Sequence, residues 1–319
     1  MSAKCRYFLG NWVNNLLTYF KGLAMGAADV VPGVSGGTIA FITGILDKLL
    51  DSVRAINPSL IKVIREEGGK AAWARINGTF LVCLLGGILT SIFSLAKLIS
   101  YLLAHHPIPV WSFFFGLILV SVWHMLRQVK GFDAGRIALF ILGAVVAWGI
   151  TVLTPTEIPA TYLNVFLGGA IAICAMILPG ISGSFILLLL GLYPAVLAAA
   201  KGLQLDVLAC FAAGAVCGIL SFSHLLSMLL RKFHDATIFF LTGLMLGTLG
   251  KIWPWKETLS WRTNSHGEQV PLAQQNLTPW GFEQLTGESS QLGFAIVCAL
   301  VGIALVLIIE KLGEGKPSR

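Results

Sequence analysis

The apolar residues of this chain fall in blocks of about 20, the length at which a helix crosses roughly 30 Å of hydrocarbon. Inside a bilayer no water satisfies backbone N–H and C=O groups, so such blocks are confined to helices. Only 12% of the 319 residues are charged, about half the share of a soluble domain. An all-α polytopic membrane protein is the fold class that remains. Spans are expected over 76–104, 110–129, 135–153, 207–230, 236–250 and 292–309. Two more apolar runs, 22–46 and 161–200, are each broken in the middle. Residues 251–291 form a long polar segment whose tryptophans suit an interfacial loop.

The net charge of +7 does not point to nucleic acid, because the basic residues sit in short loops between apolar blocks. There they orient the chain, since cytoplasmic loops collect Lys and Arg. The N-terminal Lys4, Arg6 and Lys21, the loop with Arg54, Lys62, Arg65, Lys70 and Arg75, and the C-terminal Lys311, Lys316 and Arg319 then share one face. Both termini are expected in the cytoplasm. The six cysteines show no C-x-x-C pair and mostly lie in apolar stretches, so they read as small membrane residues without a metal or disulfide role. Residues 1–20 lack a small-residue cleavage site and predict an amphipathic interfacial helix.

Both broken runs carry the same element, Val31-Pro32-Gly33-Val34-Ser35-Gly36-Gly37 and Leu178-Pro179-Gly180-Ile181-Ser182-Gly183-Ser184. One constant offset places Pro32 on Pro179, Gly33 on Gly180, Ser35 on Ser182, Gly36 on Gly183 and Gly44 on Gly191. A smaller offset, allowing for a longer first loop, sets Gly86 on Gly214. The chain thus divides into a first repeat, 1–153, and a second, 154–319, each with a re-entrant broken hairpin and about three spans. Charge bias favours breaks that dip in and return. With three crossings between them, the repeats then enter from opposite faces, as in many secondary transporters. Two full passes by each broken segment would leave the loops on the same sides.

Proline ends the incoming helix because it has no N–H and disfavours a helical predecessor, and glycine supplies the turn. Ser35 and Ser182 can cap the outgoing helices. The small residues beyond them, Gly36, Gly37, Thr38, Gly183 and Ser184, leave the first N–H groups open to an anion, phosphate above all. A single Pro-Gly break would be a kink that lets helices pack closely. Two breaks with hydroxyls at the same offset mark a site.

The run Gly26-Ala27-Ala28-Asp29-Val30-Val31-Pro32-Gly33-Val34-Ser35-Gly36-Gly37-Thr38-Ile39-Ala40, with Ile42-Thr43-Gly44-Ile45, resembles the signature of the bacterial polyprenyl-phosphate transporter family. Leu178 to Phe185, with Gly191-Leu192-Tyr193, is similar to its second motif. The resemblance implies a non-enzymatic flippase of the bacterial inner membrane. Such a protein returns undecaprenyl phosphate, the lipid carrier of peptidoglycan and surface-glycan precursors, from the outer to the inner leaflet. The phosphate would sit at the opposed tips, on Ser35, Gly36, Gly37, Thr38, Ser182, Gly183 and Ser184, with Pro32, Gly33, Pro179 and Gly180 forming the breaks. No cofactor is implied.

Ionisable groups inside a membrane are functional candidates. Asp29, whose counterpart is Met176, is either a helix-end carboxylate or a proton or sodium coupling group. Lys97, His124 and His224 also fall in spans. Two other functions compete. A transporter of a small soluble anion would use the same tips. A lipid-phosphate phosphatase would need a nucleophilic histidine and a basic clamp, for which His105-His106 and Arg231-Lys232-Phe233-His234-Asp235 are the nearest residue types.

Overall fold

In this computed structural model the structure describes residues 3–31, 34–129, 131–153, 155–156, 158–263 and 269–314. The chain is mostly helical. Helix α1, Ala3–Val30, leads to the first break. Beyond it come α2 (Gly36–Ile42), α3 (Leu46–Arg54), α4 (Ser59–Glu66) and α5 (Gly69–Arg75). Three long helices follow, α6 (Gly78–His105), α7 (Pro107–Gln128) and α8 (Ala134–Val152). Then come α9 (Tyr162–Ile177), the second break, α10 (Gly183–Leu189), α11 (Tyr193–Lys201), α12 (Leu205–Lys232) and α13 (His234–Gly247). A 3-10 turn, Leu249–Ile252, leads to strands β1 (Lys256–Thr263) and β2 (Gln269–Asn276), then α14 (Pro279–Thr286) and α15 (Leu292–Glu314).

Among the described residues five helices are long and apolar enough to cross a membrane, namely α6, α7, α8, α12 and α13 with its 3-10 extension. The count is six if α10 and α11, bent by 111°, act as one broken or re-entrant span. Gly44 and Gly191 make the matching turns after α2 and α10 at φ of 67° and 69°, backbone that side-chain-bearing residues avoid. The expected spans coincide with α6, α7, α8, α12, α13 and the shorter apolar α15. The separate interfacial helix expected over residues 1–20 is instead the first part of α1. No proline interrupts this stretch, and Gly22 and Gly26 let the continuous helix pack tightly on the Leu84 and Ile88 backbone.

Lipid tails are as apolar as leucine, so membrane helices associate through close packing of small residues. Four long contacts organise the structure: α1 on α6, α9 on α12, α7 on α15 and α8 on α13. Any Cβ at Gly87 would overlap the Tyr19 carbonyl oxygen, and one at Gly214 would overlap that of Phe166. Side chains such as Phe93, Leu142, Trp148, Leu163 and Val301 point outward, where a bilayer would cover them. On the side of the basic loops, α3 is tied to α12: Arg231 Nη2 donates to both Asp51 carboxylate oxygens at 2.8 and 3.0 Å, and Arg54 Nη1 donates to Ser227 Oγ at 2.6 Å.

The segment 251–291 is not a plain loop. Strands β1 and β2 pair antiparallel from Lys256 with Asn276 to Thr263 with Gln269, irregular around Ser260. Trp253 Nε1 donates to Leu277 O and Trp255 Nε1 to Ser290 O, each at 2.8 Å. Trp255 also packs with Ile108, Phe282 and Ala295, which seats the hairpin and α14 over the starts of α7 and α15. The polar composition concealed this because the hairpin's apolar anchors lie outside its strands.

Candidate functional site at the paired helix breaks

The two breaks touch. Ser35, extended at φ −123°, is the N-cap of α2, and its Oγ accepts from Gly37 N–H at 3.1 Å. The same hydroxyl donates to the Met176 carbonyl, in the last turn of α9, at 2.8 Å. In return Gly180 N–H, in the second break, donates to Thr38 Oγ1 at 2.8 Å. Both Ser35 and Thr38 are buried. Gly37 lies so close to α9 that an ideal Cβ would stand 2.6 Å from the Met176 and Ile177 carbonyl oxygens. Only glycine permits this approach.

Asp29, in the last turn of α1, reaches across the break, and its Oδ1 accepts from Gly36 N–H at 2.6 Å. Thr38 N–H goes to Ser35 O at 2.9 Å. The first three N–H groups of α2, expected to face a ligand, are therefore held by the protein in this conformation. The carboxylate occupies the position an incoming anion would take.

At the second break Gly180 makes the turn at φ 89°. Ser182 is the N-cap of α10 but makes no capping bond; its hydroxyl pairs with that of Ser184 at 2.9 Å. Gly183 packs on the Ala172 carbonyl, and Ser184 is exposed. A cavity of about 10 Å³, room for little more than a water, is lined here by Thr151, Gly180, Ser182, Phe185, Thr248 and Lys251. So Ser35, Gly37 and Thr38 meet the α9 end of the second break and Gly36 meets Asp29, while Ser182 faces a separate space beside Thr248. Pro179 and Gly180 stand at the contact; Pro32 and Gly33 lie outside the described residues.

A larger cavity, about 150 Å³, opens at the far end of α2 among Phe41, Gly44, Asp47, Gln128 and His234. The remaining sequence candidates are elsewhere. Lys97 is exposed on α6. His224 Nδ1 bonds to Leu220 O at 2.7 Å within its own helix, and His124 contacts Gln128 one turn on. His105 stacks on Tyr101 with ring centroids 4.2 Å apart. Asp235 takes Arg136 at 3.2 Å and His234 at 3.3 Å at the α12–α13 turn.

Three residues beside the second break escaped the sequence reading: Thr151, Thr248 and Lys251. Lys251 Nζ lies 5.0 Å from the Phe185 ring centroid. Lys256, on β1, donates from Nζ to Lys251 O at 2.5 Å and covers the Trp111 ring at 4.0 Å. Burial, with the neighbouring Lys251 charge, pushes Lys256 down to about 7. The available signal was a lysine ending an apolar span without an acidic neighbour in sequence.

Residues 25–270, which contain both breaks, match the family described as undecaprenyl phosphate translocase-like. The chain belongs to that family. It is similar to a polyprenyl-phosphate transporter of Vibrio cholerae, 65% identical over 305 residues, covering 96% of this chain and 99% of the relative. A polyprenyl-phosphate transporter of Staphylococcus aureus is 31% identical over 261 residues, covering 76% and 86%. No solved structure matches the chain. These two relatives carry a transporter name, and the several apolar helices make this member a multi-pass membrane protein.

Proposed function

We propose that this protein moves undecaprenyl phosphate across the bacterial inner membrane, returning the spent carrier for reuse, with the phosphate recognised where the two breaks meet. One observation carries this reading: the paired breaks bond to each other through Ser35 and Thr38, deep among spans, in a chain whose relatives are named for polyprenyl phosphate. The lipid tail would remain in the bilayer while the head crosses. Phosphate binding would draw on Ser182, Gly183 and Ser184 first, and on Ser35, Gly36, Gly37 and Thr38 once Asp29 withdraws.

The halves form an inverted-topology repeat in this proposal. Its support lies in matched backbone contacts. Gly116 abuts Ala299 O and Gly302 abuts Phe113 O where α7 meets α15; Gly243 abuts Phe140 O and Gly143 abuts Phe240 O where α13 meets α8. Each unit thus lends its last span to the other. Rocking of one unit against the other would open the site to alternate faces, and the Asp51–Arg231 bridge joins α3 to α12 on the face of the basic loops. Both termini lie in the cytoplasm on this scheme.

Leaflet transfer of labelled undecaprenyl phosphate in reconstituted vesicles tests the function. The parent should accelerate transfer, and Ser182→Ala should weaken apparent affinity by about tenfold, the worth of one hydrogen bond to a charged group. Ser35→Ala should lower the rate instead, because its hydroxyl joins the breaks. No acceleration by the parent defeats the lipid reading, and release of inorganic phosphate would make the protein a phosphatase.

Asp29→Asn separates charge from shape, since an amide oxygen can still accept from Gly36 N–H. If Asp29 couples transport to protons or sodium, the variant should transport with no response to either gradient. A gradient response equal to the parent's would remove Asp29 from coupling.

A further inference from the structure

We infer that Lys251 is the specificity-determining cation for the phosphate group at the second break, a role that rests on the transport reading above. Its ammonium is partly buried at the end of the α13 span. No carboxylate pairs with it among the described residues; beside it lie the Phe185 ring and the Lys256 ammonium, whose charge repels it. Removing a cation from water without a counter-ion is unfavourable, and an unpaired one at membrane depth is a functional candidate. The missing partner has to be an anion that comes and goes.

Position fixes which anion. Lys251 shares its cavity with the hydroxyls of Ser182, Thr248 and Thr151. Among the described residues Ser182 Oγ bonds only to Ser184 Oγ, whereas Thr248 Oγ1 is spent on Met245 O at 2.8 Å and Thr151 Oγ1 on Trp148 O at 2.7 Å. One ammonium beside the Ser182–Ser184 hydroxyl pair suits the oxygens of a phosphate monoester. The cavity, about 10 Å³, is too small for a phosphate while the Lys251 ammonium lies over the Phe185 ring. A headgroup entering beside α10 would draw the ammonium off the ring and onto its oxygens. Lys256, anchored to the Lys251 carbonyl, holds the turn that carries this lysine. A neutral polyprenol offers the same tail but no negative charge for the ammonium, so Lys251 would separate the phosphorylated carrier from its alcohol.

The test measures binding of undecaprenyl phosphate, undecaprenol and inorganic phosphate to the full-length protein in nanodiscs. The parent should prefer the phosphorylated lipid to the alcohol. Lys251→Gln should weaken binding of the phosphorylated lipid by about tenfold to a hundredfold, the range for a charge-assisted bond, and leave the alcohol unchanged. Lys251→Arg should keep most of the preference and Lys251→Met should lose it, so that two neutral variants guard against a folding defect in one. Melting temperatures near the parent's establish that each variant is folded. Parent-like preference in folded Lys251→Gln or Lys251→Met overturns this role while leaving the transport reading intact. A parent that binds phosphate lipid and alcohol alike overturns both. Loss of inorganic phosphate binding in Lys251→Gln, with lipid binding unaffected, would refute a lipid role and assign the cation to a soluble anion.

Discussion

Gly37→Ala is expected to slow lipid transfer by about a hundredfold, the scale of a displacement near 1 Å at a working site. The added methyl carbon would lie 2.6 Å from two carbonyl oxygens, those of Met176 and Ile177. Ordinary carbon–oxygen contacts are about 3.3–3.6 Å, so α2 and the end of α9 must part. Both are backbone, and neither can rotate away. The bonds lost are the ones that join the breaks, Ser35 to Met176 and Gly180 to Thr38, each 2.8 Å long. Gly36→Ala is the informative neighbour, because its methyl would meet the Asp29 carboxylate, a side chain that can move. Gly69→Ala, in open space on α5, should transfer lipid at the parental rate. If Gly37→Ala also transfers at that rate, the joined breaks have no part in transport.

The long helices were legible because lipid leaves a span one choice of backbone, and hydropathy alone then marks α6, α7, α8, α12, α13 and α15. The breaks were legible because Pro179 and Gly180 cannot continue a helix, and their doubling gave them weight. What the sequence did not carry was side-chain direction at the tips. Ser35 and Ser182 occupy equivalent places in the motif, yet one hydroxyl joins two breaks and the other pairs with Ser184 within its own break. Asp29, which has no acidic counterpart in the second half, adds a bond to Gly36 N–H that closes the first tip. In the sequence Lys251 reads as the first residue of the polar segment, because its neighbours in space, Phe185 and Ser182, are far away in the chain. The hairpin was missed for a similar reason: Trp255 and Phe282 hold it from outside its strands.

Gly214→Val is expected to destabilise the protein by about 3 kcal/mol, the upper part of the range for overpacking, read as a lower midpoint in a detergent–SDS unfolding titration. Its side chain would be forced into the Phe166 carbonyl at the α9–α12 crossing, where helix backbones rather than side chains meet. The same experiment fixes the register of the repeat. Sequence alignment set Gly86 against Gly214, but it is Gly87 that abuts the Tyr19 carbonyl, while a Cβ at Gly86 would meet only the Tyr19 ring at 3.9 Å. Tyr19 stands at the same offset from Phe166 as Pro32 does from Pro179. Gly87→Val should therefore match Gly214→Val, and Gly86→Val should stay near the parent. Equal effects at Gly86 and Gly87 would mean that the α1–α6 and α9–α12 crossings are not equivalent, and the inverted repeat would lose its best support. The inequality would tie each break to a helix pair built on the same backbone contact, so that both tips reach the centre by the same geometry.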